Sequence, residues 1–325
     1  MTEVELPEIM TAVTMTGHGP PEMLKLAQVP LPPRRADNDV LVAVHAAGVN
    51  PFELKLRRGW LAGLFPLQPG HVLGCDVAGI VVEKGFDVSE LEIGDRVYGL
   101  IDTMRSGSYA EYTAVTSFLL RKMPASLSFA EAATVPMAAC TAWYGLVELG
   151  GIGPGSRVLV HAGAGGVGSF AIQIAKARGA WVATTCSSGN ADYVRSLGAD
   201  QVIDYASENF WQKLSDIDVV IDVIGGETNI NSYKVLKLGG VLLVVLRGDP
   251  VEMENRGRLM AEYGITTKIV AFSAQPQILD LLRPMFESGA IKPPKIQTYP
   301  LADAAAAHAR LDNGHIGGKL VLTVR

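Results

Sequence analysis

One run of the chain carries its clearest chemical signal: Val158-Leu159-Val160-His161-Ala162-Gly163-Ala164-Gly165-Gly166-Val167-Gly168. Gly163, Gly165 and Gly168 stand at G-x-G-x-x-G spacing between an apolar run and the apolar-periodic segment Ser169 to Arg178. A strand, a glycine turn and a helix start, in that order, leave unpaired backbone N–H groups at the positive end of a helix, where a diphosphate fits. The spacing predicts a tight turn at Gly163, close approach of backbone to the diphosphate at Gly165, and close helix–strand packing at Gly168. Gly163, Ala164, Gly165, Gly166, Val167 and Gly168 are therefore the expected cradle of a nicotinamide dinucleotide.

The next strand, Trp181 to Cys186, sharpens that expectation. An enzyme that prefers NAD carries an Asp or Glu near the end of this strand to grip the ribose 2′-hydroxyl. Here Cys186, Ser187 and Ser188 stand instead, followed by Gly189 and Asn190. A carboxylate repels a 2′-phosphate, whereas two hydroxyls and their N–H groups can hydrogen-bond one. The substitution points to NADP(H), with Ser187 and Ser188 on the phosphate and Arg195 as the nearest cation. The same Ser-Ser-Gly-Asn run is also ordinary turn and helix-capping chemistry. Cys75, Cys140 and Cys186 are widely separated, with no C-x-x-C pair, so the sequence offers neither a disulfide framework nor a cysteine-rich zinc lobe.

Elements that could position these groups follow at βαβ spacing. Gln201 to Tyr205, Asp218 to Ile224 and Val241 to Leu246 are short continuous apolar runs, the pattern of parallel strands covered by helices on both faces. Ligands of such sheets bind beyond the carboxyl ends of the strands, which brings Val223, Gly225 and Leu246 towards the cofactor. Before residue 130 the pattern changes to strands broken by Gly and Pro: Met10 to Met15, Leu24 to Val29, Val40 to Val44, Val77 to Val82 and Arg96 to Tyr98. Helices at Pro276 to Ser288 and Leu301 to Leu311, then a strand at Lys319 to Val324, return to complete that first unit. The expected fold is α/β, a Rossmann doubly wound parallel sheet over residues 135–272 plus a mostly-β catalytic domain built from 1–134 and 273–325.

Bulk properties narrow the function classes. The chain has 325 residues, 48% of them hydrophobic, enough for two cores. A net charge of −5 without a basic cluster argues against nucleic acid as a partner. The longest apolar run is far short of the roughly 20 residues that a membrane helix requires. The acidic start Met-Thr-Glu-Val-Glu lacks the layout of a signal peptide, so a soluble, cytoplasmic enzyme is expected. Edge strand Thr266 to Phe272 could pair across a twofold axis, which predicts a homodimer.

Several local signatures fall in one order along the whole chain: Ala46-Ala47-Gly48-Val49-Asn50-Pro51, Gly74-Cys75-Asp76-Val77-Ala78-Gly79, Gly94-Asp95-Arg96-Val97-Tyr98-Gly99, Gly107 to Tyr112, Thr141-Ala142-Trp143, Leu197 to Asp200 and Gly318 to Leu322. In these the chain resembles the medium-chain dehydrogenase/reductase superfamily, and within it the zinc-free quinone oxidoreductase branch that includes NADPH-dependent alkenal and enone reductases. The resemblance implies a GroES-like first domain. Zinc alcohol dehydrogenases carry Cys where Asn50 stands, Gly-His-Glu where Gly74-Cys75-Asp76 stands, and a Cys near Ala138. A zinc site needs three protein ligands. Only Cys75 offers one here, with His71 nearby in sequence, so no zinc is expected.

Without a Lewis acid, acceptors that spread the incoming charge are favoured. The expected reaction is hydride transfer from NADPH to a quinone or to the conjugated C=C of an enone or enal, giving an enolate that needs hydrogen-bond donors and a proton. An enoyl-thioester or biosynthetic tailoring reductase is the second reading, and a non-catalytic NADPH-binding sensor or structural protein the third. The resemblance places Asn50 on the nicotinamide ribose, Thr141 at the carboxamide end, Tyr205 against the adenosine phosphate and Lys319 near the cofactor. Asn50 could equally cap the turn before Pro51, and Thr141 could be a helix N-cap. Lys55 could donate to an enolate oxygen or pair with Glu53 on the surface. Tyr109 could donate a proton in the pocket or pack in the core. An apolar substrate pocket is expected from Phe52, Trp60, Leu61, Leu64 and Phe65, with Leu246 to Val251 and Phe272; Glu252 to Arg258 could close over it or form a surface turn.

Overall fold

The computed structural model describes residues 6–102, 104–105, 107–245, 250–271 and 275–325, the backbone alone for 250–252. These residues form two compact units, the first from Met1–Met137, Ala274–Ser288 and Lys295–Arg325, the second from Ala138–Ser273 and Gly289–Pro294. The strands in chain order begin with β1 (Ile9–Met15), β2 (Leu24–Pro30), β3 (Asp39–Val49), β4 (His71–Val72), β5 (Asp76–Lys84), β6 (Arg96–Leu100), β7 (Tyr112–Thr116) and β8 (Leu120–Lys122). Then come β9 (Arg157–Val160), β10 (Trp181–Cys186), β11 (Gln201–Asp204), β12 (Ile217–Asp222), β13 (Leu236–Val244), β14 (Thr266–Ile269), β15 (Ile296–Pro300) and β16 (Lys319–Thr323).

The first unit is a GroES-like body, antiparallel except for the parallel pair β15–β16, in which β3 is the spine. β3 pairs antiparallel with β5, with β7 and with β16, so nearly every residue from Asp39 to Val49 is buried. The sequence pattern ends this strand at Val44. His45 instead stacks on Phe129 at 4.1 Å, and the small residues Ala46, Ala47 and Gly48 carry the strand on between β5 and β16. A Cβ on Gly48 would meet Ala133 O and the Asp76 carboxylate, so glycine here lets a buried charge approach a strand backbone. Strands β1, β2 and β4 make a smaller sheet beside it. The C-terminal strand β16 lies between β15 and β3, which puts Lys319 opposite the motif Gly48-Val49-Asn50 (Leu320 pairs with Val49). Its core packs Leu56, Leu73, Tyr109, Ala304, Leu320 and Leu322.

The second unit is a parallel sheet in the order β11-β10-β9-β12-β13-β14. Numbered within the unit, this is 3-2-1-4-5-6, the dinucleotide-binding order whose direction reverses between β9 and β12. Val158, Leu159, Val160, Val220 and Ile221 are fully buried in those two central strands, as expected for a sheet covered on both faces. Gly239 and Gly240 fall inside β13 rather than before it; Gly239 takes φ of +78° and the register shifts between Ile217 and Val219. The segment Gly289–Pro294, expected in the first domain, belongs to this unit. Gln173 ties it down by a reciprocal pair: its Nε2 donates to Lys292 O at 3.0 Å and its Oε1 accepts from Lys292 N at 2.8 Å. Among the described residues no helix is long and apolar enough to cross a membrane.

Candidate functional site

The glycine run lies where the sheet order reverses. β9 ends at Val160, and after His161 to Gly165 the helix Gly166–Ala177 begins with Gly165 as its N-cap. Backbone N–H groups from the first turn of this helix have no carbonyl partner within it and carry the positive end of the helix dipole. A nicotinamide dinucleotide fits here on the shape of the cradle. A Cβ on Gly165 would stand 3.3 Å from Ala162 O, while one on Gly163 would meet Thr184 Oγ1 and one on Gly168 would meet Ala162 O. The division of labour differs from the expected one: the positive φ of the turn, +53°, is taken by Ala162. Gly163 is required because Thr184, whose hydroxyl is fixed on Val160 O at 2.8 Å, fills the space a side chain would need.

Both neighbouring strands anchor the loop. His161 N donates to Ile221 O at 3.1 Å, Gly163 N to Thr185 O at 3.0 Å, and Ala162 N to Thr185 Oγ1 at 3.2 Å. The buried His161 ring bridges Thr185 Oγ1 (Nδ1, 3.1 Å) and Ser232 Oγ (Nε2, 3.0 Å). Ser232 gives its own proton to Thr228 O at 2.7 Å, so it accepts from Nε2–H and leaves Nδ1 to accept from Thr185. Burial pushes the His161 pKa down to about 4, with the Asp222 charge pulling the other way. At the end of β12, the buried Asp222 carboxylate takes the N–H groups of Ile224 (2.8 Å) and Gly225 (3.0 Å) and the Asn229 amide (2.9 Å). Asp222 thereby shapes the turn at half-buried Val223 and at Gly225, where φ is +82°. His161, Thr185 and Asp222 escaped the sequence reading although each is a polar residue at a strand end, which was the available signal; Ser232, at the end of the helix Gly226–Ser232, carried none.

Ser187 and Ser188 follow β10, half-buried and exposed respectively, with Asn190 Nδ2 donating to Ser187 Oγ at 3.0 Å. Arg195 is an exposed residue paired with Asp192 at 2.9 Å. Tyr205, beyond β11, is 50% exposed. Thr141 lies inside the helix Pro136–Trp143, so the N-cap alternative does not apply. Leu246 and Phe272 lie outside the described residues.

The first unit gathers a buried polar cluster around Asn50, the N-cap of the helix Pro51–Arg57. Glu53, fully buried, takes Asn50 N–H on Oε2 (3.1 Å), and on Oε1 both Asn50 Nδ2 (3.2 Å) and Cys75 N–H (2.9 Å). Asp76, the first residue of β5 and also fully buried, takes Asn50 Nδ2 at 3.1 Å, Lys319 Nζ at 3.1 Å and Met137 N–H at 2.7 Å. Lys319 also donates to Asn50 Oδ1. Burial, and then the Asp76 charge, push the Glu53 pKa upwards while Lys319 opposes them. The surface pair of Glu53 with Lys55 is thus not formed, because Glu53 turns inward. Lys55 is half-buried, has no carboxylate partner among the described residues, and has its pKa lowered by desolvation.

Tyr109 is fully buried, its hydroxyl 3.2 Å from His308 Nε2, and burial holds its pKa well above the ordinary value. The geometry favours packing over proton donation for this residue. Phe52 and Phe65 meet edge to face at 5.5 Å and, with Leu61, pack against the core. Trp60 is 64% and Leu64 71% exposed. Glu252 to Arg258 lies within the helix Pro250–Tyr263 rather than in a surface turn.

Zinc does not fit the residues present. Cys75 is buried, and burial followed by the charges of Glu53 and Asp76 keeps its thiol protonated by raising the pKa well above the usual value. Asn50 offers an amide already bound to three partners. Among the described residues no group of three His, Cys, Asp or Glu could hold a metal.

Residues 36–143 match the alcohol dehydrogenase GroES-like domain family, and residues 197–322 match the zinc-binding dehydrogenase family. The chain is 37% identical to a 2-methylene-furan-3-one reductase of Solanum lycopersicum, over 99% of this chain and 81% of that protein. To the NADPH-dependent alkenal/one oxidoreductase of Arabidopsis thaliana, a chloroplastic protein, identity is 36% over 98% and 81%. The structure of the quinone oxidoreductase from Coxiella burnetii superposes with a TM-score of 0.89 at 35% identity, covering 98% of this chain and all of that one.

Proposed function

Because this chain belongs to the medium-chain dehydrogenase/reductase superfamily, in its zinc-free quinone and enone reductase branch, we propose that it reduces a quinone or the conjugated C=C of an enone or enal with NADPH. An oxidoreductase acting on a small molecule with a nicotinamide cofactor is the coarser statement that the relatives support. The observation carrying the finer reading is Asn50: at the position of a zinc ligand stands an amide held by Asp76, Glu53 and Lys319. With no metal to take up alkoxide charge, the acceptor must delocalise the charge itself.

NADPH, when bound, supplies the hydride. Gly163 to Gly168 would hold its diphosphate, Ser187 and Ser188 its 2′-phosphate, with Arg195 and Tyr205 flanking the adenosine end. Thr141, Val223, Gly225 and Leu246 complete the proposed cofactor contacts, Asn50 would meet the nicotinamide ribose, and Lys319 would stand behind it, bound to the Asn50 and Asp76 side chains. Lys55, with its lowered pKa and no carboxylate partner among the described residues, is suited to donate a hydrogen bond or a proton to an enolate oxygen. Phe52, Trp60, Phe65 and Phe272 would give the acceptor an apolar face. Such a face separates chain lengths weakly, about 1–3 kcal/mol per methylene.

The test is the initial rate of NADPH oxidation by metal-stripped protein with a benzoquinone, an α,β-unsaturated ketone and an enoyl thioester. Turnover with the quinone or ketone is expected. A rate confined to the thioester would replace this reading by the carrier-linked one, and saturable NADPH binding without turnover of any acceptor would favour a non-catalytic role.

A further inference from the structure

The Asn50 side chain has two N–H donors and two acceptor lone pairs. Both donors are committed to carboxylates, one on Glu53 at 3.2 Å and one on Asp76 at 3.1 Å. The carbonyl oxygen takes one hydrogen bond from the Lys319 ammonium. A reversed amide would press its NH2 against that ammonium and its oxygen against two carboxyl groups, so these partners admit a single orientation. One lone pair on Oδ1 is all that remains.

We propose that Asp76 and Lys319 are positioning residues that lock the Asn50 amide so that it meets the cofactor only as a hydrogen-bond acceptor. This rests on the reading that Asn50 touches the nicotinamide ribose, and deepens it. The ligand group must then be a donor, as a ribose hydroxyl is. Asn50 has no N–H left for an enolate or quinone oxygen, so charge arriving on the acceptor falls to a different donor, which in the proposed reading is Lys55. The lock joins three segments: the start of β16 (Lys319), the start of β5 (Asp76) and the N-cap of the helix Pro51–Arg57. Lys319 is 5% exposed and Asp76 fully buried, so their ion pair is shielded from water and geometrically firm.

The test measures NADPH dissociation constants by fluorescence titration for the wild type, Asn50→Ala, Asp76→Asn, Lys319→Met and Lys319→Arg. Hydrogen exchange of the Asn50 side-chain NH2 is followed in the cofactor-free protein by NMR. Loss of one hydrogen-bonded contact corresponds to roughly tenfold weaker binding, expected for Asn50→Ala, Asp76→Asn and Lys319→Met, with Lys319→Arg recovering most of the loss. Slow exchange of the Asn50 NH2 is expected in the wild type and in Lys319→Met, and fast exchange in Asp76→Asn, a difference that a general loss of stability would not produce. Weakened binding in Asn50→Ala alone, with the other variants at wild-type affinity, overturns the positioning role while leaving the ribose contact. Wild-type affinity in Asn50→Ala overturns the contact and the lock with it. Should Asp76→Asn fail to fold, the Lys319 pair and the wild-type exchange rate decide: fast exchange in the wild type sinks the proposal.

Discussion

Two buried histidines make individual side chains answerable to pH. His161 has its pKa lowered to about 4 and His308 to about 3, in each case chiefly by burial. Their unfolded values lie near 6.5, so the unfolded chain binds the protons first as pH falls. The stability these residues contribute is complete above pH 6.5 and is lost progressively down to each folded pKa. A shift of the size given for His161 corresponds to roughly 3 kcal/mol. Chemical denaturation at pH 7.5 and pH 5 is expected to give a clearly lower unfolding free energy at the acid pH; equal values would mean that His161 is not buried as a neutral ring. A second test concerns the phosphate contacts. The double change Ser187→Asp, Ser188→Ala is expected to shift the ratio of kcat/KM for NADPH over NADH at least tenfold towards NADH, because a carboxylate repels the 2′-phosphate. An unchanged ratio would put the phosphate elsewhere.

The strand–loop–helix element that begins at β9 separates binding from folding among its glycines. A Cβ on Gly165 would stand 3.3 Å from Ala162 O, a tight contact that a shift of a few tenths of an ångström relieves, whereas Gly168 is packed against the Ala162 carbonyl and Gly163 Cα. Gly165→Ala is therefore expected to weaken NADPH binding with only a small drop in melting temperature, by keeping the diphosphate away from the backbone. Gly168→Ala must displace backbone, at about 1–3 kcal/mol, and is expected to lose both affinity and thermal stability. Calorimetry with and without NADPH checks the contrast. Wild-type stability in Gly168→Ala would show that the helix can slide off the strand without cost.

For the molecule as a whole, the outer strand β14 is the open question. It pairs with β13 and ends the second sheet among the described residues, leaving one row of backbone groups without a strand neighbour. We propose that a second copy of the chain pairs there in a homodimer. Static light scattering is expected to return twice the monomer mass, and a monomer at micromolar concentration would remove the idea. The first unit, too, depends on distant sequence, since β16 pairs with β3 across more than half the chain.

Sequence alone determined the parts governed by local spacing. Three glycines at G-x-G-x-x-G spacing between an apolar run and a helix start specify a strand–turn–helix and point to an anion before it, and continuous apolar runs at βαβ spacing specify a parallel sheet covered on both faces. The motif order identified the superfamily for the same reason: each signature is short and contiguous. What the tertiary structure decided were the partners of buried polar groups. Lys319 reaches Asn50 across 269 positions and Tyr109 reaches His308 across 199, so no periodicity could announce either pair. Glu53 illustrates the limit: its spacing from Lys55 suggested a surface pair, yet the helix Pro51–Arg57 turns Glu53 inward among Asn50, Cys75 and Asp76. Which face of an element is buried depends on what the rest of the chain brings against it, and for Asn50 that contact decides which of its hydrogen-bonding groups remains for a ligand.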